Sequence, residues 1–321
     1  MCIRDMNTRD EQELSGGFPK TKAELFEYDG LILDDIEAGF FSQDQQKLLD
    51  RFVAERGGGL LMLGGRDSFR HGAWHKTPLR DVLPIYLDQT EEPVGSQLKW
   101  NLTREGWLEP WMRVYPTEIE EQERLKKVPN LEILNTARQT KPGSRVFAEL
   151  TDANGTHHPA VVAHQYGQGR AGAVLAGDLW RWAMKREEVS DDDLGQSWRQ
   201  MLRWLVADVP QRMKASIEWI KIGETPAVEI EVRLRDKEYQ PRENSVVKIL
   251  ITDPDGKKVE LTAEPSLLET GLFAATYLPR LTGAYKAELT ATGEESQLPQ
   301  TCLLYTSPSP RDRHLDRVCR L

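Results

Sequence analysis

The chain has 321 residues, a formal net charge of −9 and a hydrophobic fraction of 39%. This length suits about two domains, and the apolar fraction is enough to build their cores. The acidic balance argues against nucleic acid as a partner, because phosphate binding needs clustered Lys and Arg. No apolar run approaches the ~20 residues of a membrane-spanning helix.

The cysteines lie only near the ends of the chain, at Cys2, Cys302 and Cys319. Residues 1–5 and 302–321 resemble translated sequencing-adapter segments, which are set aside before fold reasoning. We therefore expect the natural chain to be a cysteine-free fragment of a longer protein. A natural disordered tail is the alternative for the Ser-Pro-Ser-Pro composition.

The first elements predict a strand–helix–strand crossover. Residues 28–35 form a short apolar run that ends in acids, as a buried parallel strand does. Ser42 is a predicted N-cap, and apolar residues at helical spacing follow it up to Val53. Residues 57–59 are glycines that end the helix, and residues 60–63 form the next strand. A crossover of this length is typical of a parallel sheet.

The rest of the first part is less regular. Residues 77–83 suit a short helix with Pro in its first turn. The charged run at 118–127 indicates a solvated helix or an insertion, and residues 145–150 resume strand structure. A hairpin is predicted for 160–166 and 170–176. A last helix is expected to begin near residues 191–193, where acids favour the helix dipole and are not expected to bind calcium.

At residue 211 the pattern changes to short strands that alternate with period two. Turn residues separate them, most clearly Asp253-Pro254-Asp255-Gly256. This pattern predicts an all-β sandwich over residues 212–298, preceded by an α/β domain over residues 6–211. The predicted strands are 227–234, 246–251, 259–263, 272–278 and 284–291.

Several separated blocks of residues 18–212 resemble one family. They are, in order, YDGLILDDIEAGFFSQDQQKLLDRFVAERGGGLLMLGGRDSF, GAWHKTPLRDVLP, YGQGRAGAVLAGDLWRWAMK and WRQMLRWLVADVP. Together they are similar to bacterial glutamine-amidotransferase-like proteins of the planctomycete type. The resemblance implies a flavodoxin-like parallel sheet of the class I amidotransferase type, flanked by helices. It also implies an Ig-like second domain and a place in a larger protein of the bacterial cell envelope, joined to the membrane only through segments upstream.

The chemistry of that family is expected to be missing. A class I amidotransferase uses a Cys nucleophile in a G-x-C-x-G elbow, activated by a His that a Glu orients. Here Gly64-Gly65-Arg66-Asp67-Ser68 occupies that region, and an arginine cannot attack. His157-His158-Pro159 and His164-Gln165-Tyr166 do not match a His-x-Glu pair. Glutaminase activity is not expected, and no cofactor or metal is predicted.

The same turn is a candidate ligand site. Gly64, Gly65, Arg66, Asp67 and Ser68 follow a strand, where α/β sheets place ligands and backbone N–H groups hold anions. The alternative is a tight turn that permits close packing, with Ser68 as a cap.

Three side chains near the turn are weak catalytic candidates. They are Asp35 as a base or cation ligand, Ser68 as a nucleophile, and His71, with no particular role assigned. A G-x-S-x-G elbow is missing around Ser68. For Asp34 and Asp35, loop capping is the favoured interpretation. His71 and His75 are four residues apart but lack the sequence context of a metal site.

A second group of candidates follows a later strand. Asp178, Trp180 and Arg181, with Trp182, could stack a sugar or another flat ligand. The competing interpretation is that the indoles cover the sheet edge while Arg181 pairs with an acid.

Three functions remain open at this point. The leading hypothesis is a non-catalytic module that binds a small anionic or sugar-like ligand, or a protein partner. The second is a hydrolase or other enzyme with noncanonical chemistry in the same crevice, and the third is a structural spacer. A cluster of Asp35, Arg66, Ser68, His71 and Asp178 around one pocket would favour binding or catalysis.

Overall fold

The computed structural model describes residues 17–87, 94–184 and 192–292, together with the backbone of 298–306 and 318–320. The chain divides into two compact units, Met1–Val209 and Pro210–Leu321. The division lies beside the boundary predicted at residue 211. The segment 1–5 lies outside the described residues, and residues 302–306 belong to a strand described below.

The first unit combines seven helices with six strands over the residues described. The helices are α1 (Lys22–Leu25), α2 (Gln43–Ala54), α3 (Leu79–Val82), α4 (Arg104–Leu108), α5 (Glu118–Lys127), α6 (Trp180–Met184) and α7 (Asp193–Val206). The strands are β1 (Gly30–Asp34), β2 (Gly59–Leu63), β3 (Lys99–Leu102), β4 (Arg145–Thr151), β5 (His157–Tyr166) and β6 (Gly169–Val174). Short 3-10 turns occupy Ala38–Phe40, Trp74–Lys76 and Pro110–Met112.

Helix α2 forms as its sequence predicts. The Ser42 hydroxyl accepts a hydrogen bond from the Gln45 N–H, and the Gln45 side chain accepts one from the Ser42 N–H. This reciprocal capping box satisfies two backbone donors at the helix start. The apolar face is buried, and its members are Leu48, Leu49, Phe52 and Val53.

The six-stranded sheet has the order β1-β2-β6-β5-β4-β3. Strands β1, β2 and β6 are parallel, which confirms the predicted crossover, whereas the other three strands are antiparallel. The hairpin predicted for 160–166 and 170–176 is confirmed, since β5 and β6 pair antiparallel across a tight turn at Gly167 (φ +56°). The sheet as a whole is mixed, whereas the family resemblance implied a parallel one; a parallel connection between β5 and β6 would need about a dozen residues.

Helix α5 is not a solvated helix on all sides. Glu121 is fully buried and Arg124 is 5% exposed. One Glu121 oxygen accepts the backbone N–H groups of Val114 and Tyr115 at 3.1 and 3.0 Å. The other oxygen accepts Arg124 Nε at 3.1 Å. The sequence does not reveal this buried ion pair, because acidic and basic residues occur on both the buried and the exposed face of α5.

The second unit is an antiparallel sheet of eight strands, in the order β14-β13-β12-β9-β10-β11-β8-β7. The strands are β7 (Met213–Ile222), β8 (Thr225–Leu234), β9 (Val246–Thr252), β10 (Lys258–Pro265), β11 (Leu272–Tyr277), β12 (Gly283–Thr292), β13 (Leu298–Thr306) and β14 (Val318–Arg320). The five predicted strands are confirmed, while β7 was missed. Strand β13 pairs along β12, so the predicted limit at residue 302 falls inside a strand.

Side chains from β7, β8, β9 and β12 share one core in the second unit, so the sheet curls over itself. Alternate residues of β7 and β8 point into that core, as the period-two pattern requires. Tyr285 is 1% exposed, and its hydroxyl donates to the Leu281 carbonyl and accepts the Leu281 N–H, both at 2.9 Å. These two hydrogen bonds hold the backbone at Leu281, just before β12 begins.

We expect Tyr285→Phe to lower the free energy of unfolding of this unit by about 1–2 kcal/mol, because two hydrogen bonds between the Tyr285 hydroxyl and the Leu281 backbone are lost. The measurement is urea unfolding. Tyr277→Phe is the matched control, since its ring packs on Tyr285 and its hydroxyl makes no hydrogen bond among the described residues. Equal losses in both variants would contradict the role of the Tyr285 hydroxyl.

Candidate functional site

The carboxyl ends of β1, β2 and β6 meet at one edge of the sheet, because these three strands are parallel. The Gly64 N–H donates to the Val174 carbonyl at 2.6 Å. A Cβ added to Gly177 would lie 3.2 Å from the Gly65 backbone. The turn after β2 and the turn after β6 are therefore in direct backbone contact. This is the edge where open α/β sheets bind ligands.

Asp35 holds the turn after β2 from one side. Its Oδ1 accepts the Asp67 N–H at 2.7 Å, and its own backbone is left-handed (φ 44°). A Cβ on Gly65 would lie 2.1 Å from that same oxygen. Glycine is therefore required at position 65 by the close approach of the carboxylate, and the predicted grouping of Asp35, Gly64, Gly65 and Asp67 is present.

Asn135 holds the turn from the other side. Its Oδ1 accepts the Gly65 N–H at 2.9 Å, and its Nδ2 donates to the Gly65 carbonyl at 3.0 Å. The residue is 4% exposed, so these bonds are shielded from water. Sequence reasoning missed Asn135, since it lies 70 positions away in an irregular segment with no motif around it.

The turn presents Arg66 and Asp67 to solvent. Among the described residues, Arg66 has no ion-pair partner. A nucleophile elbow places its central residue in a strained turn between a strand and a helix. Here Arg66 is not left-handed, and turns and a 3-10 segment follow β2 in place of an immediate α-helix.

The weak catalytic candidates are placed differently from one another. Ser68 is 1% exposed, and its hydroxyl has no hydrogen-bond partner among the described residues. No base from that part of the chain therefore activates it. His71 is exposed, a few residues further along the loop. Burial lowers the pKa of the neighbouring His75, and the positive charge of Arg70 adds to this effect.

The carboxylates at the end of β1 interact electrostatically. Loss of hydration raises the pKa of Asp34, and the negative charge of Asp35 raises it further. A hydrogen-bonded base or acid partner for the Asp34 carboxyl is not seen among the described residues. Among all the described residues, no group of three His, Cys, Asp or Glu side chains is arranged to bind a metal ion.

Asp178 lies beside the turn, but its carboxylate faces the protein. It is 1% exposed and accepts the backbone N–H groups of Glu132 and Ile133 at 2.9 and 3.2 Å. Arg181 pairs with Asp178 at 3.3 Å and with Glu132 at 2.7 Å. Both residues therefore join the loop after β6 to the segment before Asn135. For Arg181, this is the competing interpretation given above, in which it pairs with an acid.

The Trp180–Arg181–Trp182 array does not form one stacking surface. Trp180 is 60% exposed, with the Arg181 guanidinium 5.8 Å from its ring centroid. Trp182 turns inward, where it lies 6.4 Å from Trp100 and 4.8 Å from the Arg124 guanidinium. Only Trp180 remains available at the surface.

No helix over the described part of the chain is both long enough and apolar enough to span a membrane.

No curated protein matches the sequence significantly.

Solved structures give distant likenesses. A cytoplasmic protein of Salmonella typhimurium LT2 is 23% identical, with a TM-score of 0.44, over 59% of this chain and 77% of its own. A β-galactosidase from Bacillus circulans sp. alkalophilus is 14% identical, with a TM-score of 0.33, over 78% of this chain and 33% of its own. One from Rahnella sp. R3 is 14% identical, with a TM-score of 0.31, over 78% and 32%. This chain thus spans about a third of either β-galactosidase.

A family model gives the assignment. The model named GATase1_like, described as "Putative glutamine amidotransferase", matches residues 3–207. This range contains β1, β2 and β6 and the whole strand-end turn. Because the match covers more than half of the chain, this protein belongs to the glutamine amidotransferase-like family.

Proposed function

We propose that this chain does not hydrolyse glutamine and that its strand-end turn binds the anionic group of a small ligand. The observation that carries the proposal is the exposed Arg66, at the position where the family nucleophile is expected, on a turn fixed by Asp35 and Asn135. The sequence has cysteine only at positions 2, 302 and 319.

The state of the turn supports binding in place of catalysis. A guanidinium is always protonated at physiological pH and offers donors in a fixed fork that suits carboxylate or phosphate oxygens. Anchoring of the turn at Gly65 by Asn135 and at Asp67 by Asp35 keeps it in one conformation before a ligand arrives. Such preorganisation reduces the entropy lost on binding. The buried Ser68 hydroxyl argues against a serine nucleophile.

The finer fold and the setting of the protein are part of this proposal. The Tyr285 hydroxyl, bonded to the backbone four residues upstream at the start of a strand, supports an Ig-like second domain, where a tyrosine corner has this form. The flavodoxin-like type of the first sheet, a protein partner and a place in the cell envelope rest on the family resemblance alone.

The first test is a glutaminase assay on the purified chain. We expect ammonia release from L-glutamine to equal that of a heat-denatured sample. Arg66→Ala should be equally inactive, because the arginine is not a substitute nucleophile. Glutamine hydrolysis above the denatured background would refute the non-catalytic part of the proposal.

The second test measures binding of inorganic phosphate by thermal shift. We expect phosphate to raise the Tm of the intact chain and Arg66→Ala to weaken its binding about tenfold, as loss of a charge-assisted hydrogen bond does. Arg80→Ala is the control, because Arg80 is also exposed and lies outside the strand-end turn. Equal binding by both variants would show that the turn is not the anion site.

A further inference from the structure

A groove of about 480 Å³ lies between the edge strand β3 and helix α5, away from the strand-end turn. Its volume is within the range of small-ligand sites, which is ~300–1,000 Å³. Polar and apolar side chains line it together, and those that matter below are Lys99, Trp100, Asn101, Trp107, Gln122 and Asn130.

The shape of the edge favours a compact ligand over a peptide strand. The Thr103 N–H bonds Phe147 on the β4 side, whereas the Leu98 N–H bonds Leu131 on the outer side. By the alternation of a strand, the backbone of Trp100 and Leu102 faces outward. The Leu98–Leu131 bridge closes this edge at one end, and α4 begins at Arg104 at the other. A peptide strand added to this edge of β3 could therefore form very few backbone hydrogen bonds.

The amide side chains of the groove present acceptors. Asn101 Nδ2 donates to Thr151 Oγ1 at 2.9 Å, Gln122 Nε2 to Glu118 at 3.0 Å, and Asn130 Nδ2 to Gln97 at 2.7 Å. Each amide thus uses its NH₂ group within the protein. Among the described residues, the three amide oxygens have no donor. Hydroxyl groups of a ligand are the donors that would complete them.

Two indoles supply flat apolar walls. Trp100 is 9% exposed, while Trp107 is half-buried and its Nε1–H has no acceptor among the described residues. An indole face covers the C–H face of a ring, and its N–H donates at the rim. Hydroxyl acceptors beside aromatic faces suit a sugar ring, which has a polar edge and apolar faces.

The charge of the groove selects the kind of sugar. Lys99 and Lys126 line it, no carboxylate does, and the chain as a whole carries −9. Lys126 is paired with Glu123 at 2.6 Å. Lys99 is exposed, and it forms no ion pair with any described residue. It is therefore the cation available to a ligand carboxylate.

We propose that this groove is a second binding site, independent of the strand-end turn, and that it takes an acidic monosaccharide of the hexuronate type. The ring stacks on Trp107, its hydroxyls donate to the amide oxygens of Asn101, Gln122 and Asn130, and its carboxylate pairs with Lys99.

The test is isothermal titration calorimetry of the full chain with D-glucuronate, D-glucose and acetate. We expect glucuronate to bind at least about tenfold more tightly than glucose, and acetate not to bind measurably. Trp107→Ala should weaken glucuronate binding about tenfold or more. Lys99→Gln should weaken glucuronate about tenfold and leave glucose unchanged. Asn101→Ala, at an exposed position, provides a variant that does not disturb the core.

The controls separate this site from the rest of the surface. Lys47→Gln changes an exposed lysine of α2 and should leave every affinity unchanged. Trp180→Ala removes an exposed indole that lies outside the groove. If this variant weakens glucuronate binding and Trp107→Ala does not, the proposal is overturned. Absence of glucuronate binding to the folded chain, or equal affinity for glucuronate and glucose, would overturn it as well.

Discussion

Replacement of Glu121 by Ala is expected to lower the free energy of unfolding of the first unit by about 3–5 kcal/mol. Glu121 is fully buried, and it is the partner of the buried Arg124. Removing the carboxylate leaves the Arg124 guanidinium in the interior without its acidic partner, 4.8 Å from the Trp182 ring. It also leaves the N–H groups of Val114 and Tyr115 without the acceptor Glu121 supplies.

The same helix supplies a matched control. Glu123 and Lys126 form an ion pair with the same spacing of three residues, but both side chains are more than 60% exposed. Glu123→Ala should change the free energy of unfolding by less than about 1 kcal/mol, since exposed pairs contribute little. Urea unfolding followed by tryptophan fluorescence compares the two variants.

A double variant separates charge from packing. Glu121→Leu with Arg124→Leu removes both charges and should cost less than Glu121→Ala, because no unpaired charge remains in the core. If Glu121→Ala costs no more than Glu123→Ala, the buried pair does not contribute as the structure indicates.

Asn135→Leu is expected to have the second-largest effect, a loss of roughly 2–4 kcal/mol. The leucine has a similar size but leaves both the N–H and the carbonyl of Gly65 without partners in a water-excluded position. Asn154→Leu, at an exposed turn, should change the free energy by less than about 1 kcal/mol. Urea unfolding again provides the measurement.

Asn135→Leu also tests the link between packing and the proposed site. Below its Tm the variant should stay folded and bind phosphate more weakly than the intact chain, because the turn that carries Arg66 loses one anchor. Full retention of stability and of phosphate binding would show that Asn135 does not fix this turn.

The strands and helices with strong local signals could be predicted from the sequence. Capping at Ser42, the apolar spacing of α2, the crossover from β1 to β2 and the alternation of β8 all arise from neighbouring residues, so they are legible in the chain itself. The same reasoning recognised the turn at Gly64 and Gly65, whose sequence contains no cysteine.

The candidate site was predicted in outline and not in its details. Asp35 and Gly65 meet as expected, because parallel strands bring their carboxyl ends to one edge. Asn135 and the inward orientation of Asp178 could not be predicted, since their partners lie 70 and 46 positions away. The charges of Glu121 and Arg124 give no local sign that they are buried.

By itself, the sequence determined the class of each unit, the ends of α2 and the residue types at the turn, because propensity, capping and periodicity act over a few residues. Only the tertiary structure decided that β3 and β4 extend the first sheet with antiparallel pairing, that Ser68 is buried and that Arg66 is exposed. It also decided that Trp107, Lys99 and the amide side chains of Asn101, Gln122 and Asn130 line one groove. These features depend on contacts between distant segments, whose free energies outweigh local preference and leave no pattern in the neighbouring residues.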